Sequence, residues 1–393
     1  MKQPASPSGR TADGVRTPAG VIHLIESDGL YGAGRVVLSL AHQATGDPDF
    51  PAAIGCILPE PAQAHPFADR VGAEGLRVLK LQLRPSRVLS DLVVILRHLR
   101  SERPAILHTH GYKAAIIGYA THLVTGVPVL ATCHGWADDS QGKRSYRWLT
   151  SLERFLYRFF TCVVAVSPRI AAQLRQWHVR ADRIVEVPNG IALQGPPSPA
   201  IVTALRQRER IPAGTPVVLH VGRLSEEKGQ TDLVEAARQL IHGHPTLRVL
   251  ILGDGPLRAT LESQIAQCGV TEAVKLLGFR DNVRDYLALA DVFALPSLTE
   301  GLPLSVLEAL DAGVPVVCTP VGALPSLLED GVSGLFVPVH SPAALADAIE
   351  RLIKEPELRR ALAMGGSEVV RRTATAQAMH RRYRDLYVRL TRG

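Results

Sequence analysis

Two carboxylates, Glu300 and Glu308, stand at either end of a short turn in the second half of the chain. The turn runs through Gly301 and Pro303 into an apolar, helix-forming stretch. We therefore expect Glu300 on a loop after a strand and Glu308 about one turn inside the next helix. The free N–H groups of a helix N-terminus attract anions. A diphosphate bound there would have a carboxylate near each end to accept hydroxyl hydrogen bonds, which suits a sugar nucleotide.

A second segment whose residues could bind a ligand runs from Gly222 to Gly229. It follows the apolar run Val217–Val221. It places Arg223 and Lys228 at a strand end, facing the helix that begins near Leu304. Arginine binds a pyrophosphate through a forked contact and lysine as a point charge, so the two cations would take the place of Mg²⁺. The alternative is a turn with ordinary surface charges. The flanking glycines favour the phosphate site.

Two further turns are expected at the rim of the same site. Gly253 begins a Gly-Asp-Gly-Pro turn, which we interpret as structural, with its amides beside the nucleotide. Phe279 follows the next predicted strand, and its type fits a core position as well as a position against a base.

The elements that must position these residues are apolar runs alternating with helix-like stretches. Continuous β-branched runs separated by helices predict buried parallel strands in βαβ units. The predicted strands are Val21–Glu26, Ala52–Leu58, Arg77–Leu81, Ile106–Thr109, Val127–Thr132, Thr161–Val166, Ile184–Val187, Val217–Val221, Leu247–Leu252, Val274–Leu277, Val292–Leu295, Val316–Cys318 and Gly334–Val337. The expected fold class is α/β, with two doubly wound domains facing across a cleft. Ligands bind such sheets beyond the carboxyl ends of the strands.

The domain organisation follows from a Pro-rich break at residues 193–200, which we interpret as a linker. We expect a disordered tail over 1–20, a first domain over 21–192, a second domain over 201–370 and a C-terminal segment over 371–393. The tail contains no apolar signal-peptide core, and the longest apolar runs are of strand length. The five cysteines are scattered, so neither a disulfide framework nor a zinc site is expected. We therefore expect a cytoplasmic protein without a metal or other cofactor.

The net charge of +7 is concentrated in two basic stretches. Residues 371–393 hold seven arginines against one acid, and residues 143–160 interleave basic side chains with Trp148 and three phenylalanines. The first interpretation of 143–160 is a core-facing helix with a solvated basic side. The second is docking on an anionic membrane surface or an anionic acceptor. Nucleic acid is not expected as a partner, because neither stretch lies in a recognisable nucleic-acid-binding module.

Four motifs occur together at spacings that identify a family. They are Val187-Pro188-Asn189-Gly190-Ile191, the Gly222–Gly229 segment, Glu300 with Glu308, and Gly322-Ala323-Leu324-Pro325. In combination they resemble the retaining glycosyltransferases of the GT-B fold, specifically glycosyltransferase family 4. The resemblance covers residues 21–390 and is densest from Val187 to Pro338. It also implies that the last, Arg-rich helix crosses back to pack on the first domain.

The resemblance places the donor in the second domain. Arg223 and Lys228 would bind the donor diphosphate and stabilise the leaving group. Glu300 would accept hydrogen bonds from sugar hydroxyls, and Glu308 from the ribose hydroxyls. The remaining donor contacts are expected at Gly32, Gly253, Phe279, Gly301, Leu302, Leu304 and Ser305.

The loop after the first strand departs from the family pattern. Family members commonly have a Gly-Gly-x-Glu loop there, which contacts the acceptor and the phosphates. Here the loop runs from Gly29 to Arg35, with Gly34 in place of the acid. Gly32 keeps the backbone flexibility, so we assign Gly32, Gly34 and Arg35 to the acceptor side. Pointing to solvent is the alternative for Arg35.

Histidines are the other notable residues of the first domain. His134 ends a strand where the family places a histidine against the transferred sugar, and a satisfied core histidine is the alternative. We expect His108 and His110 to point to opposite faces of their strand end, which makes them a poor metal pair. One of the two is expected to pack, while His110 and Lys113 are assigned to the acceptor side.

The expected activity is metal-independent transfer of a sugar from a nucleoside-diphosphate sugar to an acceptor hydroxyl, with retention of configuration. No carboxylate for a double displacement is evident in the first domain, which suits a front-face route in which the leaving phosphate helps deprotonate the acceptor. The stretch 143–160 favours a glycan or lipid-linked acceptor in envelope, exopolysaccharide or lipopolysaccharide assembly, at the inner membrane face. The alternatives are a soluble small-molecule acceptor, a GT-B-fold sugar-nucleotide epimerase and an inactive sugar-nucleotide-binding scaffold.

Overall fold

The computed structural model of the chain describes residues 20–27, 29, 31–59, 65–135, 144–195 and 199–392. Side chains are described from Trp148 in the helix that starts at Arg144, and from Ala200 in the helix that starts at Pro199. The predicted tail lies outside the described residues except for Gly20, and so does Lys143 of the basic aromatic stretch. None of the described helices has both the length and the hydrophobicity that crossing a membrane requires.

The first half of the chain forms a seven-stranded sheet in which every strand pair is parallel. Its strands are β1 (Val21–Ile25), β2 (Ala52–Leu58), β3 (Arg77–Gln82), β4 (Ile106–His110), β5 (Val129–Cys133), β6 (Cys162–Ala165) and β7 (Ile184–Glu186). The order is β3-β2-β1-β4-β5-β6-β7, so the direction of winding reverses between β1 and β4. A crevice at such a switch point is where doubly wound sheets bind ligands.

The second half repeats this architecture with six parallel strands. They are β8 (Val217–Val221), β9 (Arg248–Leu252), β10 (Val274–Gly278), β11 (Val292–Leu295), β12 (Val316–Cys318) and β13 (Leu335–Phe336). The order is β10-β9-β8-β11-β12-β13, which places the second switch point between β8 and β11. Arg223 follows the first of these two strands and Glu300 follows the second.

Helices connect the strands and cover the sheets. They are α1 (Gly32–Gln43), α2 (Pro66–Ala73), α3 (Val88–Glu102), α4 (Tyr112–Thr125), α5 (Arg144–Leu156), α6 (Pro168–Gln176), α7 (Pro199–Arg208), α8 (Gln230–Leu240), α9 (Arg258–Gln267), α10 (Val283–Leu287), α11 (Leu304–Asp311), α12 (Leu324–Leu327), α13 (Pro342–Lys354), α14 (Pro356–Thr373) and α15 (Ala376–Arg392). Neighbouring residues of β4, Ile106 and Leu107, belong to different apolar clusters, so both sheet faces are buried. The cluster of Ile106 also contains Leu219 of β8, so one apolar core runs from the first sheet to the second.

The predicted strands are all present, and their ends differ from the prediction by no more than two residues. The α/β fold class with two doubly wound sheets is confirmed. The domain boundaries stay predictions. Helix α14 runs across the proposed boundary at residue 370, and residues 196–198 of the proposed linker lie outside the described residues.

The last helix, α15, lies against α1 and β4 of the first domain. Arg384 donates from Nε to Asp47 at 2.8 Å and from Nη2 to Asp49 at 2.6 Å. Two buried tyrosines of the same helix bond to the sheet, Tyr383 to the Thr132 hydroxyl at 2.8 Å and Tyr387 to Nδ1 of His108 at 2.8 Å. The helix is therefore held by buried hydrogen bonds as well as by apolar packing.

The Tyr383 hydroxyl is expected to stabilise this docking measurably. Tyr383→Phe removes one buried hydrogen bond and keeps the ring, so the free energy of unfolding should fall by about 1 kcal/mol. The urea midpoint measures the change. The control is Tyr119→Phe, because the Tyr119 hydroxyl has no hydrogen-bond partner in the described part of the chain; an equal loss in both variants would contradict the assignment.

Candidate active site

The loop between β11 and α11 meets the first domain at the end of β5. A Cβ atom on Gly301 would lie 2.5 Å from the carbonyl oxygen of His134, so only glycine allows this approach. Asn189 supports the same loop, because its side-chain amide donates to the carbonyl oxygen of Leu302 at 3.0 Å. The two sheets therefore present their switch points to a shared cleft.

Glu300 and Lys228 form an ion pair at the second-domain switch point. Nζ of Lys228 lies 2.6 Å from Oε1 of Glu300, and the Ser297 hydroxyl donates to the same oxygen at 2.8 Å. The Glu300 side chain is only 8% exposed. The two donors hold its carboxylate in one orientation. The structure thus brings together the residues predicted to bind the sugar and the diphosphate.

Arg223 lies on a turn that is tied to the neighbouring turn at Gly253. Gly253 has φ of +133°, and a Cβ atom there would lie 1.9 Å from the carbonyl oxygen of Gly222. Gln230 donates to the carbonyl oxygen of Arg223 at 2.7 Å. The Arg223 side chain is exposed, and among the described residues no carboxylate pairs with its guanidinium. The turn is fixed while its cation faces outward.

Helix α11 begins without a side-chain cap, because Pro303 precedes it. Leu302 and Leu304 are buried and Ser305 is half-buried, so what this segment can offer a ligand is mainly its backbone. Uncapped N–H groups at a helix start bind anions. The predicted role of these backbone amides therefore has a suitable local structure.

Glu308 is paired with Arg35 across the cleft. The guanidinium contacts both carboxylate oxygens, with Nη1 3.1 Å from Oε2. Burial raises the pKa of the Glu308 carboxyl, and the charge of Arg35 partly offsets that effect. The structure thus pairs Glu308, which was predicted to bind the ribose, with Arg35, which was predicted to contact the acceptor. Arg35 is therefore paired with Glu308 across the cleft, while 40% of its side chain stays exposed.

The loop before α1 provides an aromatic contact to the second domain. The rings of Tyr31 and Phe279 lie edge to face with centroids 6.0 Å apart, and Phe279 is about half exposed, so it is not a core residue. Gly32 begins α1, and a Cβ atom there would contact nothing within 4 Å. Gly34 is buried, and a Cβ atom there would lie 3.0 Å from the Phe67 ring.

The prediction that His108 and His110 point to opposite faces is wrong. Their ring centroids are 4.2 Å apart and both side chains are buried. The physical reason is the two-residue period of a strand, which places residues i and i+2 on the same face. Both histidines therefore belong to one cluster, and His110 reaches Nε2 of His134 through Nδ1 at 3.0 Å.

The His134 imidazole is neutral near pH 7. His134 directly follows β5 at the cleft, and burial lowers its pKa to about 4. The carbonyl oxygen of the same residue faces Gly301. The structure therefore places His134 where both domains meet, as a neutral hydrogen-bonding group.

Two family models match the chain, one for each half. Residues 31–194 match the model described as Glycosyltransferase Family 4, and residues 202–368 match the model described as Glycosyl transferases group 1. The chain is also 30% identical over 290 residues to a D-inositol 3-phosphate glycosyltransferase of Xylanimonas cellulosilytica, covering 68% of each chain. The chain belongs to glycosyltransferase family 4.

Further comparisons agree with this membership. The family 4 chain is 28% identical over 281 residues to an Escherichia coli UDP-Gal:alpha-D-GlcNAc-diphosphoundecaprenol alpha-1,3-galactosyltransferase, covering 69% of this chain and 72% of the relative. Its fold is similar to that of Anabaena HepE solved with UDP-glucose, with a TM-score of 0.83 and 21% identity over 94% of this chain and 99% of HepE.

Sequence reasoning missed one carboxylate of the glycosyltransferase cleft, that of Glu26. It follows β1 directly, and Lys113 at the start of α4 pairs with it. Glu26 and His134 both line a cavity of about 190 Å³ at the first-domain switch point. The signal was a single acid at the end of a central strand, three residues before the Gly29–Arg35 loop. The Glu26 carboxylate, paired with Lys113, thus lies at the edge of this cavity.

The buried histidines of this glycosyltransferase predict an acid-sensitive fold. Burial lowers the pKa of His23 to about 3 and of His134 to about 4, and it lowers the pKa of His108 and His110 well below 6.5. Below pH 6.5 the unfolded chain binds protons that the folded chain does not. Each of these histidines should therefore lower the free energy of unfolding by up to about 1.4 kcal/mol per pH unit as the pH falls from about 6.5 towards 4.

Urea midpoints measured between pH 7.5 and 4.5 test this slope. His134→Asn should flatten the slope, because it removes one of the histidines that fold in the neutral form. A midpoint that does not change over this range would contradict the burial of neutral histidines.

Proposed function

We propose that this glycosyltransferase moves a sugar from a nucleoside-diphosphate sugar to an acceptor hydroxyl, with retention of configuration and without a metal ion. The observation that carries the proposal is the pairing of Lys228 with Glu300 at the second-domain switch point. This pair lies beside the loop that touches His134. It thus brings a phosphate-binding cation, a hydroxyl acceptor and the first-domain histidine to one place.

In this proposal the donor diphosphate lies between Lys228, Arg223 and the uncapped start of α11. Two cations and helix amides supply the positive environment that a leaving diphosphate needs, which is why no metal ion is invoked. Glu300 accepts hydrogen bonds from sugar hydroxyls, and Glu308 accepts them from the ribose. When the diphosphate neutralises Lys228, the Glu300 carboxylate turns to the sugar hydroxyls.

The route that fits these residues is a front-face one. The bond from the anomeric carbon to the phosphate oxygen breaks as the acceptor oxygen approaches from the same side, and the leaving phosphate takes the acceptor proton. Lys228 and Arg223 stabilise the charge that develops on the phosphate. His134 acts as a neutral hydrogen-bonding group towards the transferred sugar, because an imidazole with a pKa of about 4 is not charged at pH 7.

The acceptor is placed in the cavity of the first domain. Glu26, paired with Lys113, offers a carboxylate for acceptor hydroxyls, and His110 and His134 line the same cavity. Of the two relatives, one is named for a diphosphoundecaprenol-linked acceptor and the other for an inositol phosphate. Both are named as transferases, which favours transfer over the epimerase and scaffold alternatives.

A lipid-linked acceptor is favoured by exposed apolar side chains on two helices of the first domain. On α5, Trp148 is 66% exposed, and Arg158 lies over the half-exposed ring of Phe155 at 5.4 Å. On α3, Leu89 is 80% and Val94 63% exposed. Apolar side chains with basic neighbours bind anionic lipid surfaces. We therefore place the protein peripherally at the cytoplasmic face of a membrane.

Vesicle binding tests this placement. Trp148→Ser with Leu89→Ser should lower the bound fraction on vesicles containing anionic lipid by about tenfold, since two exposed apolar side chains are lost. Co-sedimentation measures it, and Leu193→Ser, an exposed change on the proposed linker, is the control. Equal binding of all three proteins would leave the soluble acceptor as the better proposal.

The donor assignment is tested by a screen of UDP, GDP, ADP and TDP with their common sugars. We expect one nucleotide to raise the thermal midpoint most when it carries its sugar, together with slow hydrolysis of that donor. No shift with any donor would favour the inactive scaffold.

Glu300→Gln should abolish transfer while nucleotide binding stays within about twofold of the wild type, because the amide cannot replace a carboxylate that accepts from hydroxyls. Isothermal titration and product formation measure the two effects. The control is Glu357→Gln, an exposed change on α14. Unchanged turnover in Glu300→Gln would contradict the role of Glu300.

A further inference from the structure

Four histidines form one stack beneath the cleft, in which His23, His108 and His110 are buried and His134 is partly exposed. His23 lies on β1, His108 and His110 lie on β4, and His134 directly follows β5. The β1–β4 register places His23 directly beside His108. Ring centroids are 4.8 Å apart for His23 and His108, and 5.3 Å apart for His110 and His134. The stack reaches from the centre of the first sheet to the residue that faces the second domain.

Two nitrogen–nitrogen hydrogen bonds connect three of these rings in series. Nε2 of His134 lies 3.0 Å from Nδ1 of His110, and Nε2 of His110 lies 3.2 Å from Nδ1 of His23. A neutral imidazole donates from one nitrogen and accepts at the other. The nitrogen that carries the proton on His110 therefore determines which nitrogen carries it on His134 and on His23. With both hydrogen bonds formed, the three rings have only two possible sets of proton positions.

A metal ion is the obvious alternative, since ligand atoms of His23, His108 and His110 lie within 4.8 Å of one another. However, both nitrogens of His108 already have partners, the Tyr387 hydroxyl at 2.8 Å and the Thr132 hydroxyl at 2.7 Å. Both nitrogens of His110 bond to other histidines. A shared ion would need these nitrogens about 2.0–2.1 Å from one centre, which would break the hydrogen bonds.

The two arrangements differ in the tautomer of every ring. If His134 donates to His110, and His110 to His23, all three histidines carry the proton on Nε2. In the reverse direction all three carry it on Nδ1. Neutral histidine side chains intrinsically favour the Nε2–H tautomer, so the first arrangement suits all three rings at once.

We propose that His110 and His23 are positioning residues that hold His134 as the Nε2–H tautomer. Nδ1 of His134 is then left as a hydrogen-bond acceptor. The proposal rests on the proposed function, in which His134 meets the transferred sugar. An acceptor nitrogen there selects a sugar hydroxyl that donates, and it would not bind a group that only accepts.

The last helix supports the stack from the other side. Tyr387 bonds to His108, whose ring packs against His110, and Tyr383 bonds to Thr132, the second partner of His108. Both nitrogens of His108 are already hydrogen-bonded, so His108 does not join the hydrogen bonds between the other three histidines. Its ring packs against the His110 ring and restricts the orientation of that ring. The docking of α15 is thus connected by contact to the orientation of His134.

The test combines two variants at residue 110 in the full-length protein. His110→Phe keeps an aromatic ring and removes both hydrogen bonds. His110→Asn places an amide oxygen near the position of Nδ1, so it still accepts from His134. The control is His122→Phe, on α4 and outside the stack.

Long-range ¹H–¹⁵N spectra of ¹⁵N-histidine-labelled protein report the tautomer directly. We expect His134 to be the Nε2–H tautomer in the wild type and in His110→Asn, and a tautomer mixture in His110→Phe. With the identified donor, His110→Phe should lower kcat about tenfold, the effect of one hydrogen bond, with a donor KM within about twofold. His110→Asn should restore most of kcat, and His122→Phe should behave as the wild type.

Three results would overturn the proposal: an Nδ1–H tautomer of His134 in the wild type, an unchanged His134 tautomer in His110→Phe, or stoichiometric zinc bound by the histidines. If His110→Phe does not fold, the wild-type spectrum still tests the proposal, because an Nδ1–H tautomer of His134 there would overturn it. Because the spectra need no substrate, absence of any transferase activity would count against the proposed function and not against the tautomer.

Discussion

The structure depends on one backbone contact, that of Gly301 with the carbonyl oxygen of His134. The contact is so close that a Cβ atom would come within 2.5 Å of that oxygen. It joins the loop after β11 to the end of β5, so that the switch points of two separately wound sheets share one cleft. Glu300 and His134, which lie on different domains, are adjacent for this reason.

Ion pairs then give the cleft its chemical character. Lys228 pairs with Glu300, Arg35 with Glu308 and Lys113 with Glu26. In each pair a ligand can take the place of one partner, since phosphates bind the cations and hydroxyls bind the carboxylates. Holding each charge with a partner also avoids the cost of an unpaired, partly buried charge. The cleft is therefore prepared for a ligand that contains both phosphates and hydroxyls.

Much of the fold could be predicted from the sequence. Buried parallel strands are continuous apolar runs, and the glycine turns that follow them mark the strand ends, so both sheets and the Glu300 and Lys228 segments were found. The pair of Arg35 and Glu308 could not be predicted, because 273 residues separate them and only the domain arrangement joins them. The prediction that His108 and His110 point to opposite faces was wrong, although the sequence alone contradicts it, because the two-residue period of a strand places them on the same face. Glu26 and His23 carry no motif; their importance comes from neighbours that only the fold gives them, Lys113 for Glu26 and His108 for His23.

The central claim is that a nucleoside-diphosphate sugar lies across the contact between the two domains. Hydrogen–deuterium exchange with and without the identified donor tests it most directly. The account predicts slower exchange of amides in three segments, residues 222–229, residues 300–305 and the end of β5 at residues 132–135. Protection elsewhere, with these three segments unchanged at saturating donor, would contradict it.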